Sequence, residues 1–140
     1  MRLTVLIVFL FVTFFAIRTR ASAEQLESKN LIQKEMLALD SALKVTIDAI
    51  VLNELGRIHP AFEEAHRIRQ QVEQAIKGDR KILLPRNQKR FKEFVRLDNK
   101  FHRDLERLLK AAKKNKMAAV QRQTHLLLDA CVRCHAIFRK

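Results

Sequence analysis

Near its C-terminus the chain reads Cys131-Val132-Arg133-Cys134-His135. Two thiols three residues apart lie on one face of a helix. Both can therefore add to the two vinyl groups on one edge of a single porphyrin. The histidine that follows then projects over the porphyrin plane and offers a ring nitrogen to iron, as the usual proximal haem ligand does. C-x-x-C-H is the attachment sequence of c-type haem. The expectation is one covalently attached haem c, with Cys131 and Cys134 as thioether anchors and His135 as proximal iron ligand. Two other chemistries compete. A thioredoxin-like Cys131–Cys134 disulfide belongs near a βαβ pattern, and none can be read here. A structural zinc site wants four ligands, and the chain has only two Cys.

Four amphipathic helices can be read from the punctuation around the motif. The first spans about Leu26 to Leu55, with Ile32, Met36, Leu39, Leu43, Ile47 and Ile50 on one face and Gly56 as its stop. The second starts with Pro60 at its first position, carries Phe62, Ala65, Ile68, Val72 and Ile76, and ends at Gly78. The third follows Pro85 and holds Phe91, Phe94, Phe101, Leu105, Leu108 and Ala112. The fourth begins near Asn115, with a stripe of Met117, Val120, Thr124, Leu127, Cys131, Cys134 and Phe138. Residues 78–85 form the longest interruption and suit a loop over one end. The pattern predicts an all-α, up-down-up-down four-helix bundle. Both cysteines continue the core stripe of the last helix, which would place the haem in the bundle core.

The N-terminus has the form of an export signal. Arg2 supplies a positive charge, Leu3 to Ile17 is an apolar run broken only by Thr4 and Thr13, and Ala21-Ser22-Ala23 gives the small-x-small pattern of a cleavage site. The expected division is a signal peptide over residues 1–23 and a four-helix-bundle cytochrome domain over residues 24–140. Arg18 and Arg20 lie where cleavable signals seldom carry charge. The alternative is an uncleaved anchor, the one case in which the chain stays on the membrane. Either way residues 24–140 are delivered outside the cytoplasmic membrane, in the periplasm or its equivalent.

Composition narrows the rest. Two Gly and two Pro in 140 residues are too few for a turn-rich β fold. At 48% hydrophobic and 31% charged, the chain is neither disordered nor polytopic. The formal net charge is +13, and removal of Arg2, Arg18 and Arg20 with the signal leaves +10. An exported basic protein rarely meets nucleic acid, so acidic protein partners or anionic membrane surfaces are the expected targets. No nucleophile–base–orienter set can be read, and no enzyme activity is indicated.

An exported four-helix bundle with C-x-x-C-H near its C-terminus resembles the cytochrome c′ family, the class II c-type cytochromes. The quotable likeness is the run Cys-Val-Arg-Cys-His-Ala-Ile-Phe-Arg-Lys over residues 131–140. In that family the motif continues to an aromatic and then a basic residue, here Phe138 and Arg139. The resemblance implies a haem-edge contact for Arg139 and a homodimer through the first two helices. It also implies that the sixth iron position faces the first helix. Some members place a methionine there and carry electrons; others place a non-ligating apolar residue and bind gases such as nitric oxide. Met36 is the only methionine of the first helix, so it is the expected distal ligand. One departure is Ile32, which stands where the family often has Arg; Lys34 or Lys29 would then serve a haem propionate. Among the other histidines, His66 is the best alternative ligand, and His102 is expected to form a surface pair with Asp98, one turn away. The resulting expectation is one-electron transfer to a redox partner with an acidic surface. A five-coordinate gas-binding protein is the alternative.

Overall fold

A computed structural model describes residues 31–78 and 82–139. The expected export signal and cleavage site, the expected start of the first helix and Lys29 lie outside the described residues. Helix α1 covers residues 31–51. A 3-10 turn, Leu55–Arg57, leads into the short α2, Ile58–Ala61, and then α3, Glu63–Lys77. A second 3-10 turn, Gln88–Arg90, opens α4, Phe91–Lys113, which is followed by α5, Met117–Phe138. Among the described residues there is no strand.

Two apolar clusters fix how the helices run. The larger joins Leu39 to Ala49 of α1, Ile58, Phe62 and Ala65, Phe101 to Ala112 of α4, and Val120 and Leu127 of α5. The smaller joins Ile32, Val72 and Ala75, Ile82 and Leu84, Phe94 and Phe138. Thus α1 and α4 run away from the smaller cluster, and α3 and α5 run toward it. This alternation is the antiparallel four-helix arrangement. Ile82 and Leu84 close the smaller cluster from the α3–α4 connection. Gln88 pins that connection: its amide donates to the Ile82 carbonyl at 3.0 Å, and its carbonyl accepts from Leu84 N–H at 2.8 Å. Asn87 then ties it to α5 by donating to the Ile137 carbonyl at 2.6 Å. The described part of the interruption, residues 82–85, is not helical, and its Ile82 and Leu84 pack at the end that carries the motif.

The buried seam of α4 runs through Phe94, Asp98, Phe101, Leu105, Leu108 and Ala112, with Asp104, Leu109 and Ala111 buried beside it. The buried positions on α5 are Val120, Thr124, Leu127 and Phe138. The seams step by three and four, with the half-buried Cys131 and Cys134 filling the interval between Leu127 and Phe138 on α5, as expected of helices packed at small angles. The hydroxyls of Thr46 and Thr124 are buried without penalty, because each donates to the carbonyl four residues back at 2.9 Å.

Three local expectations are corrected. The buried face of α1 is Ile32, Glu35, Leu39, Ala42, Leu43, Thr46 and Ala49, so the seam is turned by about one residue from the apolar stripe. Ile47 is 46% exposed, and Met36 and Ile50 flank the core. Gly56 does not stop α1. Asn53 does, with φ of 56°. Its N–H donates to the Ile50 carbonyl and that of Glu54 to Ala49, the paired bonds of a left-handed helix end. Asn115 closes α4 in the same way, with φ of 50° and bonds to Ala112 and from Lys116 to Ala111. Asparagine can stand there because its short polar side chain tolerates the left-handed region. Pro60 lies third in α2 rather than first, still among the donors that have no partner within a helix. Gly78 does follow the last residue of α3, and its N–H caps Gln74.

Candidate functional site

The spacing of α5 carries its buried seam from Leu127 directly into the motif. Cys131 packs against the larger apolar cluster and Cys134 against the smaller, so the two thiols sit where the clusters meet. Both are free and half-buried. Burial raises the Cys131 thiol. Burial, then the charges of Asp98 and Cys131, push Cys134 up to about 11. A redox dithiol works with a lowered thiol, so this environment argues against thioredoxin-like chemistry. Cys pairs held protonated and turned inward suit anchoring of an apolar group better.

His135 is half-buried on the neighbouring face. Burial, and then the Arg139 charge, lower its imidazole from the ordinary value. At neutral pH the ring is therefore uncharged, the form that can give a nitrogen lone pair to a metal. Phe138 is buried and meets Phe94 edge-on, with centroids 5.5 Å apart. Arg139 is exposed just past the helix end, where its N–H donates to the His135 carbonyl at 3.0 Å.

Met36 of α1 is half-buried and packs against both clusters, as the cysteines do between them. It therefore belongs to the same region of the core as the motif. Glu35, and not Met36, holds the fully inward position. Ile32 is buried at the end of the seam, and Lys34 is exposed.

The least expected feature is a buried polar network between α1, α3 and α4. Glu35 is 0% exposed. Its Oε1 accepts from His102 Nε2 at 3.0 Å. The same nitrogen is 3.6 Å from Asp98 Oδ1. Asp98 Oδ2 accepts from the guanidinium of buried Arg69, which also donates to Asn99 at 2.7 Å. Burial foremost, and then the Glu35 charge, push Asp98 up to about 6 in spite of His102 and Arg69.

This network corrects the reading of the histidines. His102 does pair with Asp98, but inside the bundle and not on its surface. His66 is half-buried at the surface and bound to Glu106 at 3.0 Å, outside the core. His59 and His66 line two surface hollows of about 250 and 360 Å³, whose other walls come from α3, α4 and Phe62 and not from α5. Glu35 and Arg69 were missed because only apolar letters were counted along the seams. The signal was present: the interval 32-35-39 repeats in steps of three and four with a glutamate in the middle.

The cysteine pair and its neighbours fit a covalently held porphyrin by donor chemistry: two free inward thiols, an uncharged imidazole beside them, and a thioether on the same stretch of core. No protein-family model, no curated protein and no solved structure matches the chain.

Proposed function

We propose that this chain is an exported monohaem c-type cytochrome of the cytochrome c′ kind that transfers single electrons outside the cytoplasmic membrane, in the periplasm or its equivalent. The observation that carries the reading is the placement of Cys131 and Cys134 as two free thiols on the inner seam of α5, with His135 next in sequence. When bound, haem supplies reversible one-electron chemistry between ferric and ferrous iron. The protein's part is to hold, orient and insulate it. Cys131 and Cys134 hold the porphyrin edge, His135 takes the proximal position, and the apolar clusters exclude water. Met36 takes the distal position, and Arg139 contacts the haem edge.

The basic surface supports docking to an acidic redox partner, with encounter screened over ~10 Å at 0.1 M salt. Leu37, Ile47 and Val51, exposed on α1, support a homodimer through that helix. No helix among the described residues is long and apolar enough to cross a membrane, so membrane attachment in this reading rests with the N-terminal segment alone.

A second reading, a five-coordinate haem protein that binds nitric oxide, is favoured by one observation. Met36 lies on the flank of the α1 seam, and Glu35 takes its centre. Optical spectra of the protein made with haem-attachment machinery separate the two. A sharp reduced α-band with a ferric methionine-to-iron charge-transfer band is the result expected for electron transfer. Broad high-spin bands that shift strongly with nitric oxide select the gas binder. Absence of a Soret band overturns both.

A further inference from the structure

We propose that Glu35, Asp98 and His102 form a binding site for one divalent transition-metal cation, a site separate from the C-x-x-C-H motif and independent of the haem reading. Asp98 and His102 are one turn apart on α4 and so share a face; Glu35 meets them from α1. His102 Nε2 lies 3.0 Å from Glu35 Oε1 and 3.6 Å from Asp98 Oδ1, and all three donors fall within 4.8 Å of one another. An ion held at ~2.0–2.2 Å by nitrogen and oxygen donors in a tetrahedron needs donor separations of roughly 3.3–3.6 Å. Small side-chain movements bring the three donors to that spacing.

The second observation is an unsatisfied oxygen. Glu35 Oε2 is fully buried and has no hydrogen-bond partner among the described residues, although it belongs to the carboxylate that meets His102. A buried carboxylate without its full set of partners is costly. The nearby cation, Arg69, is already engaged by Asp98 and Asn99, and its Nε lies 3.1 Å from Glu73. Two carboxylates against one guanidinium leave one negative charge in the core. Arg69 also acts as an outer partner that holds Asp98 Oδ2 and leaves Oδ1 toward His102, the arrangement that orients metal ligands. One imidazole and two carboxylates suit zinc, manganese, cobalt or ferrous iron better than copper(I), which prefers sulfur. The side chain of His102 is 16% exposed and forms the rim through which an ion would enter.

The competing arrangement places a proton on His102 in the role of the cation. Zinc titration of the full exported chain, stripped with EDTA and desalted, decides between them. The expected result is one zinc per chain by calorimetry, and a melting temperature that rises with zinc. Glu35→Gln and His102→Gln should each weaken that binding about a hundredfold or more, while Glu106→Gln, at the exposed His66 pair, should leave it unchanged. Circular dichroism before titration confirms that each variant is folded. The zinc-dependent melting shift of the parent needs no variant. A parent that takes up no zinc, or zinc affinity that survives Glu35→Gln in a folded chain, overturns the site; the latter result would place the ion on the thiols or the surface histidines.

Discussion

Asp98 should make the stability of the fold depend on pH in the sense opposite to most carboxylates. Its side chain is 7% exposed. Burial, and then the Glu35 charge, raise it to about 6 from an ordinary 3.8. The folded chain therefore keeps a proton over a range in which the unfolded chain has lost it. Stability must fall as pH rises through that range. At ~1.4 kcal/mol per pH unit, the difference between 3.8 and about 6 is about 3 kcal/mol. The penalty is absent below the unfolded value and complete above the folded one. Asp104 works the other way: Lys100 foremost, and Arg107, hold its carboxyl below the usual range, so its contribution is lost only as pH falls under about 4. The assay is urea unfolding followed by circular dichroism, with EDTA present, in small steps between about pH 4 and 7. Because Asp98, Glu35 and His102 interact, the transition is read as one property of the cluster. The parent should lose about 3 kcal/mol across the window, and Asp98→Asn should flatten the slope. A parent whose stability stays level or rises, or an Asn variant that keeps the parent's slope, would refute the reasoning.

Other outcomes follow from packing and helix ends. Met36→Leu should change folding stability by less than ~1.5 kcal/mol, yet convert low-spin to high-spin iron and lower the reduction potential; an unchanged spectrum and potential would make Met36 a packing residue. Leu127→Ala empties a fully buried position on the α5 seam and should cost about 2–5 kcal/mol in urea unfolding, whereas Val132→Ala, at an exposed position, should stay within about 0.5 kcal/mol. Asn115→Ala should destabilise by about 1 kcal/mol because alanine resists the left-handed conformation. Asn115→Gly should not, since glycine adopts it freely.

The residues of α5 were legible because its seam is written in side chains that look like core. Val120, Thr124, Leu127, Cys131, Cys134 and Phe138 keep one spacing from start to end. On α1 the large apolar residues Met36 and Ile50 stand beside the seam, and the small or polar Glu35, Ala42, Thr46 and Ala49 share it with Leu39 and Leu43. An apolar count therefore turns the helix by about one residue and places Ile47 inside. The end of the first helix was misread for a similar reason: glycine is the common left-handed residue, and here Asn53 takes that conformation. Arg69 and His102 could not be placed by pattern alone. Their burial depends on Glu35 and Asp98 arriving from other turns and other helices, and only tertiary structure brings those charges together.

The proposed function stands on covalent haem attachment at Cys131 and Cys134. The most direct measurement is the intact mass, under denaturing conditions, of the chain produced in cells that carry haem-attachment machinery. The expected result is the mass of the polypeptide plus one haem, and the bare polypeptide mass for the Cys131→Ala, Cys134→Ala double variant. A parent with the bare mass, or with only the two hydrogens of a disulfide missing, would contradict that attachment.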